Sequence, residues 1–182
     1  MKLSPIIGAI RTYCPRFESR VGGAAEYVAA LETNYLPLPS AYVIPGEDAT
    51  GEQRSQTDYW QALTENFSVA VFLRNTDERA QEAACDIIDE VRREIWHAIL
   101  GWETESGCCA IEYDSSDLID VNRARLVWQF NFKVDTDIHF ESTRQYADIN
   151  NLHNLHTVSI DLTEQSSSIH HNTTVHYDEA GA

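Results

Sequence analysis

Two stretches of strict alternation, separated by one long helical repeat, constrain this chain more than any other feature. From Leu63 onward, Leu63, Phe67, Val69, Val71 and Leu73 fall on one side of an extended strand and Thr64, Asn66, Ser68 and Arg74 on the other, since successive side chains of a strand point to opposite faces. A second run places Leu126, Trp128, Phe130, Phe132 and Val134 against Arg125, Gln129, Asn131, Lys133 and Asp135. Between them Ala80, Ala84, Ile87, Ile88, Val91, Ile95 and Ile99 recur every three or four residues, the spacing of one apolar helix stripe. Asn75 with Glu78 three residues on has the form of a capping box, and Gly101 stands where a helix ends on a left-handed residue. Each apolar face needs a cover. The economical solution is an α+β, two-layer domain: an antiparallel sheet with one long helix, about Glu78 to Leu100, packed across it.

Shorter elements fill in around this unit. Ile6, Ile7 and Ile10 predict a short N-terminal helix over Pro5–Cys14, and the run Ala24–Glu32 predicts a second that stops by Asn34. Ala41–Ile44, bounded by Pro39 and Pro45, reads as a strand, and the polar stretch Gly46–Asp58 as a loop. Ile111–Tyr113 and Leu118–Val121 bracket Asp114, Ser115, Ser116 and Asp117, which reads as a hairpin turn. Trp128 should face the core and Trp102 should fold back onto the long helix. Tyr59 and Trp60, at the junction of the acidic loop and the first long strand, are a candidate subunit contact or a core edge.

After Ile138 the composition changes to Asn, Thr, Ser, His and Asp with brief apolar marks at Val158, Ile160, Leu162 and Ile169. This is too little apolar surface for a core, yet it keeps the alternation that an added strand uses. The expected organisation is therefore a domain at 1–138 and an extended C-terminal arm at 139–182 that orders on a neighbour.

Charge and motifs narrow the function classes. With Asp+Glu 29 against Lys+Arg 13 the formal charge is −16, which repels polyanions and removes the counterion-releasing cations that nucleic-acid affinity needs. An acidic surface is compatible with a conduit along which DNA slides. No run approaches the roughly 18 apolar residues of a membrane span, and Met1–Gly8 is too short and interrupted for a signal-peptide core; the product is expected to stay where it is made. Cys14, Cys85, Cys108 and Cys109 match neither a secreted disulfide framework nor a metal knuckle and read as reduced thiols, with a redox or soft-metal role for the vicinal pair as the alternative.

The chain has no GxGxxG, no GxxxxGK[ST], no GxSxG and no HExxH. His139, His153, His156, His170, His171 and His176 lie in the arm, where no core supplies the rigid surroundings that a metal site needs, and His97 reads as a packing residue. Glu103 with Glu105, and Asp114 with Asp117, read as solvated loop charge. No catalytic, cofactor-binding or metal residue is assigned.

Several stretches, in order and at their spacing, resemble the tail terminator family of Mu-like phages. They are Arg20–Tyr27 (RVGGAAEY), Leu38–Pro45 (LPSAYVIP), Glu65–Asn75 (ENFSVAVFLRN), Ile99–Trp102 (ILGW) and Leu126–Phe132 (LVWQFNF). The resemblance covers about Pro5 to Ile138 and departs from the family over the arm. It implies a virion structural protein of the tail and neck, assembled in the host cytoplasm, and no enzyme or cofactor. The expected assembly is a ring, usually a hexamer, on the last disc of the tail tube, ending its polymerisation and offering its other side to a head–tail connector or stopper protein. DNA would pass through the lumen without specific binding. Tyr59, Trp60, Trp102, Val158, Ile160, Leu162 and Ile169 are the expected interface residues, and Glu47, Asp48, Glu52, Asp114, Asp117 and Asp120 the expected lumen residues. A DNA-gripping role would instead put Arg20, Arg54, Arg123 and Arg125 on the pore. Another head–tail connector or tail-tube component, or a small enzyme or binding module without a motif, are the alternatives.

Overall fold

A computed structural model describes residues 1–33, 36–75, 81–104, 109–122, 124–152, 157–163 and 170–176, with backbone alone at 81–85, 157–163 and 170–176. The helices are α1 (Ser4–Tyr13), α2 (Ala24–Glu32), α3 (Gln81–Ile99) and α4 (Arg144–Asn150). The strands are β1 (Val21–Gly22), β2 (Ser40–Pro45), β3 (Ala49–Gln53), β4 (Trp60–Arg74), β5 (Glu112–Val121), β6 (Arg125–His139), β7 (Thr157–Thr163) and β8 (His170–His176). The fold is α+β, with a mixed, mostly antiparallel sheet of six strands.

The two alternating stretches pair with each other. All of β4 faces β6, from Trp60 opposite His139 to Arg74 opposite Arg125. On its other edge β4 is covered in succession by β2, from Ser40 opposite Phe72 to Pro45 opposite Phe67, and by β3, with Ala49 opposite Thr64. Gly46, which follows β2, makes a close approach to β4, donating its N–H to the Asn66 carbonyl at 2.8 Å. A Cβ there would lie 2.9 Å from Asn66 Cβ and 3.0 Å from its backbone, so any other residue would force the strands apart. β1 runs parallel to β2, and β5 forms the far edge beside β6.

One sheet face carries the main core. Ile6 and Ile10 of α1, and Val91, Ile95, Ala98 and Ile99 of α3, pack over Phe67, Val69, Val71, Leu73, Leu126, Phe130, Phe132 and Val134. The helix stripe and the strand alternation thus meet as expected, with Trp128 partly buried against the same cluster. Ile87 departs from the stripe and is 37% exposed. The opposite face is not bare: α2 lays Ala30 and Tyr27 over Tyr42, Ala70, Phe72 and Val127. That end of the sheet is covered on both sides. The unbroken apolar runs Val69–Leu73 and Leu126–Val127 are the corresponding sequence signature.

Local expectations fare unevenly. Gly101 ends α3 with φ 77°, the left-handed residue expected there, and Trp102 after it is 37% exposed. The Asp114–Asp117 stretch is no turn. β5 runs straight through it, with register shifts between Tyr113 and Ser115 and between Leu118 and Asp120. The polar side chains that favour turns bond across the sheet instead, Asn131 Nδ2 donating to Ser115 Oγ at 3.0 Å and to Asp117 Oδ2 at 3.1 Å. The expected loop at Gly46–Asp58 contains β3, whose five residues are all exposed; an edge strand gains its backbone bonds without burying a side chain. The Asn75–Glu78 capping box, Ala80 and the Asn34 stop lie outside the described residues. Asn75 itself donates from Nδ2 to the Asn122 carbonyl at 2.6 Å, tying β4 to the β5–β6 turn.

By its internal contacts the chain divides into Met1–His139 and Phe140–Ala182. The second unit has more regular structure than an extended arm. Thr143 caps α4, its Oγ1 accepting from the Tyr146 N–H at 3.3 Å. β7 and β8 then form a two-stranded antiparallel hairpin from Thr157 opposite His176 to Thr163 opposite His170. A hairpin satisfies its inner backbone groups locally, which is why a polar sequence without a core can hold one.

The two-sided burial has a thermodynamic consequence. Phe72→Ala should cost about 3–5 kcal/mol, as much as Phe130→Ala on the main core face, whereas Ile87→Ala should cost under about 1 kcal/mol. Urea titrations of the three variants check this. A small loss for Phe72→Ala would show that α2 is not a genuine second cover.

Candidate functional site

The site candidates are surfaces. Fully buried residues are almost all apolar, and among the described residues no group of three His, Cys, Asp or Glu is placed to hold a metal ion. No described helix is long and apolar enough to cross a membrane.

The six acidic candidates fall on opposite edges of the sheet. Glu47 and Asp48 lie in the joint between β2 and β3 and Glu52 on β3, all exposed. Asp114, Asp117 and Asp120 lie on β5, across β4 and β6, about 14 Å away at ordinary strand spacing. Asp114 accepts from Ser115 Oγ at 3.1 Å, and Asp120 stands 3.8 Å from Arg125 Nε. Asp117 ends a polar row that crosses three strands: Ser68 Oγ donates to Asn131 Oδ1 at 2.8 Å, Gln129 Nε2 donates to both, and Asn131 bonds Ser115 and Asp117. Beyond the reach of α2, this sheet face is hydrophilic and carries no cluster of cations.

The arginines that a DNA grip would use are engaged elsewhere. Arg125 donates to the carbonyls at the end of α2, Ala30 at 3.0 Å, Leu31 at 3.2 Å and Thr33 at 3.3 Å, while its guanidinium lies 5.6 Å from the centre of the Phe72 ring. That satisfies helix-end acceptors and complements the negative end of the helix dipole. Arg20 donates to the Pro39 carbonyl at 2.9 Å and pairs with Glu18. Arg54 sits over the Trp60 ring at 5.4 Å, and Arg123 lies outside the described residues.

Among the interface candidates, Trp60 opens β4 at 41% exposure, and Tyr59, half-buried, donates its hydroxyl to Gln61 at 2.6 Å. Trp102 lies between α3 and β5. Val158, Ile160 and Leu162 take alternate positions of β7, opposite Val175, Thr173 and His171; Ile169 lies outside the described residues. His139 is exposed at the end of β6, His170, His171 and His176 belong to β8, and His153 and His156 lie outside the described residues. The His97 ring lies 6.4 Å from that of Tyr13, a packing contact.

One apolar surface escaped sequence reasoning. Leu118, Ile119 and Val121 are 49%, 44% and 55% exposed on β5, the outermost strand of the sheet. Read as the return arm of a hairpin, these residues were given a partner in Ile111–Tyr113 and not marked as exposed. The adjacent pair Leu118–Ile119, apolar on both faces of a strand, was the available signal.

Glu94 organises the helix side. Arg16 donates to it at 2.9 and 3.1 Å and to Glu90 at 2.8 Å, and the hydrogen bond to Glu94 leads the effects that raise the Arg16 pKa. Cys14 is fully buried, and burial, followed by the nearby Glu94 carboxylate, pushes its thiol up to about 12. Glu26 is held below the usual carboxylate range by the backbone N–H groups of Gly23 and of Glu26 itself, at the start of α2. Cys14 should resist alkylation in the native protein at pH 8 while exposed Cys109 reacts, as peptide mass mapping would show. The folded-state thiol titrates above the unfolded value of about 9, so its contribution is complete below pH 9 and is lost as pH rises toward 12. Cys14→Ala should flatten that part of the stability–pH curve; an unchanged curve would remove the thiol as its cause.

Comparison with known proteins follows the same outline. Residues 1–143 match the family model described as phage tail terminator protein, which takes in all of the six-stranded sheet and its three helices. No curated protein matches the chain.

Proposed function

Because the chain belongs to the phage tail terminator protein family, a structural and non-enzymatic family whose role is capping the tail tube, we propose that it closes into a ring, a hexamer, on the last tube disc. The opposite side of that ring receives the head–tail connector or stopper protein. The order of its sequence motifs points to the Mu-like members of the family. The observation that carries this reading is the family match over residues 1–143, which ends just past the sheet domain. The exposed edge residues and the absence of a metal cluster or nucleophile motif among the described residues and the sequence support it. In this proposal residues 1–138 build the ring body and 139–182 form an assembly arm, with Trp60 and Trp102 at contacts between components.

The charge supports a slippery lumen. Glu47, Asp48, Glu52, Asp114, Asp117 and Asp120 supply carboxylates at the sheet edges, and Arg20 and Arg125 spend their guanidinium groups on backbone carbonyls. A phosphate backbone near such a surface finds repulsion and no counterion release.

Two measurements test the proposal. Added to polymerising tail-tube protein, the full chain should shorten the tubes and appear at their ends in electron micrographs, and its native mass should be six times the monomer. A monomer that leaves tube length unchanged would overturn the reading. In the DNA test, wild type should give no mobility shift of duplex DNA at micromolar concentration in about 0.1 M salt, and Asp114→Lys, Asp117→Lys and Asp120→Lys combined should create one that salt abolishes. A wild-type shift in that salt would indicate a DNA-gripping connector.

A further inference from the structure

We propose that β7 of one copy adds to the free edge of β5 on a second copy, so that the C-terminal hairpin locks neighbouring subunits together. The inference rests on the ring reading and names the contact that joins its members.

Among the described residues β5 has one neighbour, β6, so its other edge presents backbone donors and acceptors to whatever lies beside it. The same strand exposes Leu118, Ile119 and Val121. Proteins usually blunt such an edge, and here the register shifts near Asp114 and Ile119 do so only in part. On the other side of the proposed contact, β7 also has a single neighbour among the described residues, β8, and a two-stranded sheet alone is marginal in water. Its alternate positions Val158, Ile160 and Leu162 put three apolar residue types on one face of the strand. Each strand lacks what the other offers.

Charge chooses between occupants. Two β5 edges paired with each other would bring Asp114, Asp117 and Asp120 against the same three residues, and like charges across a strand pair are destabilising. β7 carries one acidic residue, Asp161, so it approaches this edge with far less repulsion.

Reach permits a second copy. The connection from Phe140 to His156 contains a 3-10 turn and α4, and spans at most about 40 Å. A domain of this size measures about 37 Å across, so the connection can extend to an adjacent copy.

The test uses full-length chains in which Cys85, Cys108 and Cys109 are replaced by serine. One copy carries Leu118→Cys and a differently tagged copy carries Ile160→Cys. Mixed and oxidised, they should give a disulfide-linked dimer containing one of each, and a chain with both substitutions should give a ladder of covalent oligomers. An intrachain disulfide at monomer mass, or no crosslink, would overturn the proposal. In parallel, Leu118→Asp and Ile160→Asp should each weaken self-association at least tenfold in a dilution series followed by mass photometry, with the double variant little worse than either single one. If wild type assembles and neither variant changes the assembly, this inference fails while the ring reading stands; a wild type that stays monomeric at micromolar concentration removes both.

Discussion

The rest of the molecule depends on the β4–β6 ladder. Fifteen consecutive residue pairs, Trp60 with His139 through Arg74 with Arg125, hold two long strands in one register. A shift of one residue would turn Phe67, Val69, Val71, Phe130 and Phe132 to the wrong face together. The stacked rings of Phe67 and Phe132, 5.3 Å apart, show how closely that register is specified. Once it is set, α1 and α3 have a continuous apolar floor, and α2 has the smaller one formed by Tyr42, Ala70, Phe72 and Val127. Arg125 links the levels, since one side chain at the start of β6 holds the carbonyl end of α2 and covers the Phe72 ring.

Much of this was legible in the sequence because it follows from periodicity. Val91, Ile95 and Ile99 are buried where a 3.6-residue repeat puts them, and Phe130, Phe132 and Val134 where a two-residue repeat does. What misled the reading was chemistry whose meaning depends on partners. Ser115 and Asp117 favour turns in isolation, but Asn131 on the neighbouring strand takes up their side chains and β5 continues. Ala49–Gln53 has no apolar residue to mark a strand beyond Ala49, and its pairing is fixed by the neighbouring edge of β4.

The candidate surfaces were legible to a different degree. Trp60 was singled out because a tryptophan at the mouth of a strand is conspicuous by residue type alone, and it is 41% exposed. The exposed row on β5 was harder to find because exposure there follows from strand order, and the adjacent pair Leu118–Ile119 marks only a strand that is apolar on both faces. Acidic candidates could be listed by type, yet only the topology separates Glu47, Asp48 and Glu52 from Asp114, Asp117 and Asp120 by the width of two strands.

That separation bears on how copies of the chain could close on themselves. A ring needs two different surfaces on every subunit, whereas a subunit whose edges are alike pairs with itself and stops at a dimer. The sheet meets this requirement by having unlike edges. One side ends in two short strands, β1 beside β2 and the polar, fully exposed β3 beside β4, and the other in β5, longer and apolar between its aspartates. Self-pairing of β5 is opposed by the charge of Asp114, Asp117 and Asp120, and β3 offers no apolar surface to replace it. In the proposed assembly the strand that completes β5 therefore has to come from outside the sheet, and the C-terminal hairpin, with Val158, Ile160 and Leu162 on a strand that has only one neighbour among the described residues, is the part of the chain whose chemistry fits it.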